Sequence, residues 1–248
     1  MQQEFQFLNK ASENQNDSVP ENLLILDTET TGLNPKQDQC IEVGAVLFNV
    51  KFKTPLSQLS FLLPVSENQA ESINKIPAEI TKIDQPYLYA LDYFKCLIDR
   101  ADALFAHNAE FDRQWFGTDL LPGISKPWIC SMEDMKWPSH LNLKSRPSVS
   151  SLALAYGIPV WTAHRALTDC IYLVEVLKRC EDLEQMLSKA LEPRRLMRAQ
   201  VSYEDRHLAK NAGFRWNDPV RGAWTRRLSD QEVLDLDFPV SPIDAQDS

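Results

Sequence analysis

The chain has 248 residues and a formal net charge of −9, with 44% hydrophobic and 25% charged residues. This composition is typical of a globular protein and excludes wholesale disorder, and the sequence lacks the run of about 18 apolar residues that a membrane span needs. The start lacks the basic and apolar regions of a secretory signal and the five cysteines form no CxxC pair, so we expect a reduced, cytoplasmic protein.

The first two thirds of the chain alternate between strand-like and helix-like patterns. Short apolar runs typical of buried strands occur at 23–26, 41–50, 61–65 and 103–106. Apolar residues at helical spacing occur at 77–83, 88–100, 150–156 and 165–191. This mixture predicts a fold of the α/β or α+β class.

The charge is distributed unevenly along the chain. Residues 1–193 carry a net charge of −9 and residues 194–227 carry a net charge of +6. The residues after 228 contain six acids and no base, which gives them a net charge of −6. The overall acidity argues against a nucleic-acid partner, whereas the basic stretch favours one. We expect five segments: a disordered arm over 1–21, a main domain over 22–187, a linker over 188–200, a small basic module over 201–229 and an acidic tail over 230–248.

Two acids stand at the end of the first buried run. Asp27 and Glu29 are two positions apart, so in a strand their side chains point to the same face. Two neighbouring carboxylates repel each other unless a cation lies between them, and oxygen ligands of this kind suit Mg²⁺ or Mn²⁺. Acids at a strand end are more commonly solvated turn residues, so the pair alone does not identify a site.

Two further groups combine acids with histidine or asparagine. Asp112 ends the sequence HNAEFD, which follows the apolar run 103–106. Asn108 is a suitable residue to begin a helix, which would put Asp112 in its first turns. An acid in the first turn of a helix commonly balances the helix dipole. His164 and Asp169 lie in HRALTD. Five residues on one helix turn through about 500°, so this pair converges only if His164 lies in the loop before the helix. A lone His followed by Asp is commonly structural.

Taken together and in this order, DTETTG, NxxFD and HxAxxD resemble the three motifs of the DEDD superfamily of 3′→5′ exonucleases, in its His subclass, DEDDh. The resemblance implies an RNase H-like fold, in which helices flank a mixed central sheet. It fills all five catalytic positions of that family: Asp27, Glu29, Asp112, His164 and Asp169. More closely, HNAEFDR, PWICSM and HRALTDC are similar to the exonuclease X group of bacterial DNA exonucleases.

The resemblance also implies a mechanism. The four carboxylates would hold two divalent cations, Mg²⁺ or Mn²⁺, and His164 would take the proton of the attacking water, since imidazole exchanges protons near neutral pH. The expected enzyme hydrolyses DNA from its 3′ end to nucleoside monophosphates. One alternative is a 3′→5′ exoribonuclease, and another is a catalytically silent exonuclease fold that binds nucleic acid or protein.

Five residues are candidate substrate contacts. By the resemblance, Thr30 would lie near the terminal 3′-hydroxyl and Leu33 against a base. Asn108 would shape the loop around Asp112 beside the substrate. Lys144 and Arg146 lie in a polar loop that could hold the phosphate backbone.

The basic module resembles a short domain with the pattern AKxxGARWDxxxxxW that is appended to DNA-processing proteins. It has a predicted helix over 203–212 that Gly213 closes, followed by two short strands that carry Trp216 and Trp224. Two interpretations stay open. The positive charge and the two tryptophans favour a nucleic-acid-binding accessory, whereas arginines that pair with the acidic body or tail would indicate a packing or partner-docking module.

Overall fold

The computed structural model describes residues 19–161 and 164–243, so the predicted arm lies, up to residue 18, outside the described residues. The elements of the main domain are, in chain order, β1 (Asn22–Thr30), β2 (Cys40–Asn49), β3 (Thr54–Leu62), α1 (Glu71–Asn74), α2 (Tyr87–Arg100), β4 (Ala103–Ala106), α3 (Ala109–Arg113), β5 (Trp128–Cys130), α4 (Val149–Ala155), α5 (Ala166–Arg179) and α6 (Leu183–Ala190). Among the helices of the described ranges, none is long and apolar enough to cross a membrane.

The main domain is built on a mixed five-stranded sheet with the order β3-β2-β1-β4-β5. Strand β1 runs antiparallel to β2 and parallel to β4. Its alternate residues enter two cores: Leu23 and Ile25 pack with residues of α4, α5 and α6, and Leu24 and Leu26 pack with residues of α2. Burial on both faces explains the continuous apolar run, and helices on both sides of a mixed sheet confirm the predicted α/β architecture.

Two predicted elements of the main domain have different bounds. The third strand spans Thr54–Leu62 rather than 61–65. It is an edge strand whose first residues are mostly exposed and mix polar with apolar side chains, so no continuous apolar run marks its start. The helix predicted over 165–191 is two helices, α5 and α6. The chain becomes extended at Cys180, and this break lets Leu183 and Leu187 pack into the same core as α5.

The C-terminal module forms a second, four-stranded antiparallel sheet with the order β7-β8-β6-β9. Its elements are β6 (Arg195–Ala199), α7 (Arg206–Asn211), β7 (Arg215–Trp216), β8 (Trp224–Leu228), α8 (Asp230–Leu234) and β9 (Val240–Pro242). The predicted helix and hairpin are present as α7, β7 and β8. Met197, Phe214 and Leu228 form part of a separate small core.

Elements of the structure extend across both boundaries predicted around this module. The linker predicted over 188–200 contains the end of α6 and all of β6, and the tail predicted over 230–248 contains α8 and β9. Strands β6 and β9 are short and partly polar, and they pair with each other across more than forty residues, Arg198 opposite Ser241. Local composition therefore could not distinguish them from linker and tail.

Ion pairs join the module to the main domain. Arg215 of β7 contacts Glu133 at 2.5 Å, and Arg194, which precedes β6, contacts Asp134 at 2.9 Å. Lys136 of the main domain contacts Asp235 at 3.4 Å. Arginines of the basic stretch are thus partly used for packing, as one of the two interpretations of the module predicts.

Candidate active site

Strand direction brings the predicted acids together. Strands β1 and β4 are parallel, so their carboxyl ends lie at the same edge of the sheet. Asp27 and Glu29 lie in the last part of β1, and Asp112 lies in α3, which follows β4 directly. Helix α5 packs against β1 and β2 and carries Asp169 in its first turn. Residues from three distant parts of the sequence therefore converge.

Three of the carboxylates are close enough to share a cation. Oxygen atoms of Asp27, Glu29 and Asp169 all lie within 4.8 Å of one another; Asp27 and Glu29 are half-buried and Asp169 is only 9% exposed. Asp112 is buried beside them, and its Oδ1 accepts hydrogen bonds from the backbone nitrogen of Thr28 at 3.0 Å and from the Thr28 hydroxyl at 2.8 Å. Because Thr28 lies between the two acids of β1, these bonds fix Asp112 against that strand.

Burial and mutual repulsion disfavour ionisation of this cluster. Burial and the nearby Asp112 and Asp169 carboxylates hold the pKa of Asp27 well above its usual range. Burial and Glu42 raise the pKa of Glu29 to about 8. Burial also raises the pKa of Asp112 to about 7, although the hydrogen bonds from Thr28 act in the opposite direction. A divalent cation would relieve the repulsion, so this donor set fits the hard cations predicted from the sequence.

We expect the metal-free protein to lose stability as the pH rises. The folded protein keeps protons on Glu29 and Asp112 up to pKa values of about 8 and about 7, whereas in the unfolded chain these groups ionise near the usual 4.5 and 3.8. Stability therefore falls as the pH rises through the window between these values. Melting temperatures in EDTA should decline from about pH 5 to about pH 8, and Mg²⁺ should reduce the decline. An EDTA profile that stays flat or rises would contradict this reading of the cluster.

His164 lies in the loop before α5, as convergence with Asp169 requires. Its backbone nitrogen donates a hydrogen bond to Asp169 Oδ2 at 3.1 Å, and its side chain is exposed. Its φ is +64°, in the left-handed region that a non-glycine residue seldom adopts. The main chain is therefore tied to the acidic cluster while the ring stays accessible to a substrate.

Three candidate substrate contacts lie on segments next to the acids. Thr30 is buried and its hydroxyl donates to the Gly32 carbonyl at 2.6 Å, whereas Leu33 is 80% exposed. Asn108 occupies the position before α3 with φ +62°, and its side chain makes no capping hydrogen bond. An exposed leucine beside a carboxylate cluster suits stacking against a base, and the contacts themselves stay predictions.

The two candidate phosphate contacts differ in their surroundings. Lys144 is exposed, whereas Arg146 forms an ion pair with Glu133 at 2.7 Å. Glu133 also binds Arg215 of the C-terminal module. Lys144 is therefore the freer of the two for a phosphate, and Arg146 lies in the interface between the module and the main domain.

Two polar residues of the site were not identified from the sequence patterns. Thr28 holds Asp112, and the buried Glu42 of β2 lies directly opposite Glu29 and pairs with Arg165 at 2.8 Å. The signal for Glu42 was present, because it is a lone charge within the apolar run 41–50. A charge in a strand buried on both faces needs partners, and those partners are distant in sequence.

Two family models match the chain, and it is similar in sequence to curated proteins. A family model described as "Exonuclease" matches residues 24–177, and one described as a domain of unknown function matches residues 195–243. The chain is 28% identical over 155 residues to DNA polymerase III subunit epsilon of Treponema pallidum (strain Nichols), covering 60% of this chain and 72% of that protein. It is 30% identical over 167 residues to the PolC-type DNA polymerase III of Thermotoga petrophila, of which it spans only 12%.

Solved structures of exonucleases align with the main part of the chain. E. coli Exonuclease I in complex with a dT13 oligonucleotide aligns with a TM-score of 0.54 and 16% identity, over 77% of this chain and 50% of that one. Exonuclease X in complex with 5′ overhanging duplex DNA aligns with a TM-score of 0.49 and 24% identity, over 66% of this chain and 99% of that one. The first of these alignments confirms the predicted architecture of the main domain.

Proposed function

The chain belongs to the exonuclease family, and from this premise we propose that it hydrolyses DNA from the 3′ end to nucleoside monophosphates with two divalent cations. The observation that carries the proposal is the convergence of four carboxylates at one sheet edge with His164 beside them. A DNA substrate is supported by the name of the Treponema relative, a DNA polymerase subunit, and by the dT13 oligonucleotide bound to Exonuclease I.

The acidic cluster would hold the metal. Asp27, Glu29 and Asp169 offer oxygens to a shared cation, and Asp112 would complete a second position next to Asp27. Bound Mg²⁺ or Mn²⁺ would supply charge stabilisation at the scissile phosphate and make a water more acidic. Protons held by these carboxyls must leave when a cation binds, so affinity for the metal should rise with pH.

The remaining residues act on the substrate. His164 would accept the proton of the attacking water, because its ring is accessible and its main chain is bonded to Asp169. Leu33 would pack against the terminal base, and Lys144 would bind a phosphate of the strand. Thr30, the last residue of β1 and the one directly after Glu29, would lie near the 3′-hydroxyl of the substrate.

His164→Ala is expected to lower kcat by about 10²–10⁴-fold, the range typical for loss of a general base. The KM for DNA and the melting temperature should stay close to wild type, since the ring is exposed and makes no core contact. The matched control is His140→Ala, another exposed histidine in the main domain, which should keep wild-type kcat. Wild-type turnover of His164→Ala with Mg²⁺ would rule out this role.

Substrate class is tested with single-stranded DNA and RNA of one sequence at equal concentration, with Mg²⁺. Faster release of deoxynucleotides supports the proposal. Faster degradation of RNA would favour the exoribonuclease alternative. Binding of either strand without hydrolysis, in Mg²⁺ and in Mn²⁺, would favour a catalytically silent exonuclease fold.

The C-terminal module is proposed to combine packing with an accessory nucleic-acid contact. Four of its basic residues form ion pairs with acids: Arg194, Arg195, Arg215 and Arg226. Four others are exposed and, within the described residues, have neither an ion pair nor an aromatic ring beneath them: Arg198, Lys210, Arg221 and Arg227, in contrast to Arg206, which lies over the ring of Tyr203. Trp216 is also exposed, and its ring lies 5.7 Å from that of Trp224. The second group is available for phosphates and the tryptophan for a base.

Replacing Arg198, Lys210, Arg221 and Arg227 with alanine should weaken the salt dependence of DNA binding. Each lost phosphate contact lowers the slope of log K against log salt by about 0.7 for a single strand. The charge-matched control replaces four exposed lysines of the main domain: Lys51, Lys75, Lys82 and Lys95. If both variants keep the wild-type slope, the module serves packing or docking alone.

A further inference from the structure

Glu42 is an almost fully buried acid in β2. It is 1% exposed and lies directly opposite Glu29 in the antiparallel pairing of β1 with β2. A buried carboxylate next to other carboxylates is costly unless its oxygens accept strong hydrogen bonds. Its partners therefore indicate what this residue is for.

Within the described residues, three of the four hydrogen bonds to the Glu42 carboxylate come from the residues that follow His164. Oε2 accepts from Arg165 Nε at 2.9 Å and from the backbone nitrogen of Ala166 at 3.2 Å. Oε1 accepts from Arg165 Nη2 at 2.8 Å and from the Ser60 hydroxyl at 3.0 Å. The guanidinium and the carboxylate thus form a two-point, charge-assisted pair, which fixes orientation as well as distance.

Gly44 is a second point on β2 that contacts the first turn of α5, because its lack of a side chain lets the two backbones approach closely. It lies two residues after Glu42 on the same face, and a Cβ added there would be 2.3 Å from the backbone nitrogen of Leu167 and 2.4 Å from the carbonyl carbon of Ala166. The glycine lets the helix approach the strand, and Glu42 sets the direction in which the chain enters it. Strand β2 is thus a platform for the first turn of α5.

We propose that Glu42 and Arg165 are positioning residues that fix the main chain next to His164 and thereby place its ring for catalysis. The ring of His164 is exposed, so its position depends on the backbone that carries it. The next residue, Arg165, anchors that backbone through its pair with Glu42. The proposal rests on the proposed function, because it assigns His164 the role of proton acceptor.

Glu42→Gln is expected to lower kcat by about 10–100-fold, as substitutions of residues that orient a catalytic group typically do, with little change in KM for DNA. Glutamine keeps the size of the side chain but presents an amide donor to partners that are donors themselves. Arg165→Lys keeps the charge without the two-point geometry and should lose less activity than Arg165→Gln. The control Glu79→Gln, at an exposed acid of the main domain, should keep wild-type kcat.

A double-mutant cycle separates positioning from general destabilisation. If Glu42 acts through His164, adding Glu42→Gln to His164→Ala should lower kcat by less than about twofold, because the ring it places is already gone. A full, additive loss in that background, or wild-type kcat in both Glu42→Gln and Arg165→Gln, would overturn the inference. Arg165→Gln keeps the test valid if Glu42→Gln does not fold, since Arg165 is half-exposed. An inactive wild-type protein would instead contradict the proposed function.

Discussion

Asp27→Asn is expected to lower kcat by about 10³-fold or more in Mg²⁺ while the metal-free protein stays at least as stable as wild type. Asp27 lies centrally among the acids, and Asp112, Asp169, Glu29 and Glu42 all act on it electrostatically. Loss of its charge removes a shared metal ligand, and metal-ion catalysis contributes several kcal/mol of transition-state stabilisation. The same change replaces a carboxyl whose ionisation is unfavourable in this buried cluster with a neutral amide, so folding without metal should not suffer.

The measurement combines single-turnover hydrolysis in Mg²⁺ with thermal unfolding in EDTA. Asp99→Asn is the matched control, because Asp99 is an exposed acid on α2 and its substitution should change neither quantity. An Asp27→Asn protein that is active would remove this residue from the metal site. A variant that is inactive and strongly destabilised in EDTA would show that Asp27 stabilises the fold, and would contradict the view that its buried carboxyl destabilises the metal-free protein.

Arg194→Ala is expected to destabilise the protein by about 3–5 kcal/mol, the usual result of removing one partner from a buried ion pair. The side chain of Arg194 is 8% exposed. Its Nε donates to Glu232 of α8 at 2.9 Å, and its Nη1 donates to Asp134 of the main domain at 2.9 Å and to the Ala190 carbonyl at the end of α6 at 2.8 Å. Without the guanidinium, two carboxylates between the module and the main domain would lose their main cation.

Urea unfolding measures this effect, and the neighbouring residue supplies the control. Arg195 pairs with Asp230 at 2.5 Å, but the two side chains are 64% and 85% exposed, so Arg195→Ala should cost about 0–1 kcal/mol. Equal effects of the two substitutions would contradict the view that Arg194 anchors the module. A loss confined to an early unfolding transition would indicate that the module separates before the main domain unfolds.

Local sequence determines much of the site. Asp27 and Glu29 follow a short apolar run whose pattern is typical of a strand that is buried on both faces. Their spacing of two residues puts both carboxylates on one side of that strand. Helix geometry predicted that His164 and Asp169 converge only if His164 lies in the loop before the helix, and the structure places it there. These features depend on neighbours in the chain, which is why they could be predicted.

Features that depend on distant partners could not be predicted. Glu42 and Arg165 are 123 positions apart, and their pairing exists only because α5 packs across β2. The break at Cys180 carries no glycine or proline and follows from the way the core closes. Strands β6 and β9 gain their structure from each other and from β8, so their sequences resemble linker and tail.

The most direct test of a metal-dependent 3′→5′ exonuclease is the digestion of a 5′-labelled single-stranded DNA oligonucleotide by the wild-type protein. With Mg²⁺ we expect a ladder of labelled strands that shorten one nucleotide at a time, with release of nucleoside monophosphates. EDTA should stop the reaction and added Mg²⁺ should restore it. Immediate release of the label as a mononucleotide, or an intact strand in both Mg²⁺ and Mn²⁺, would contradict the assignment.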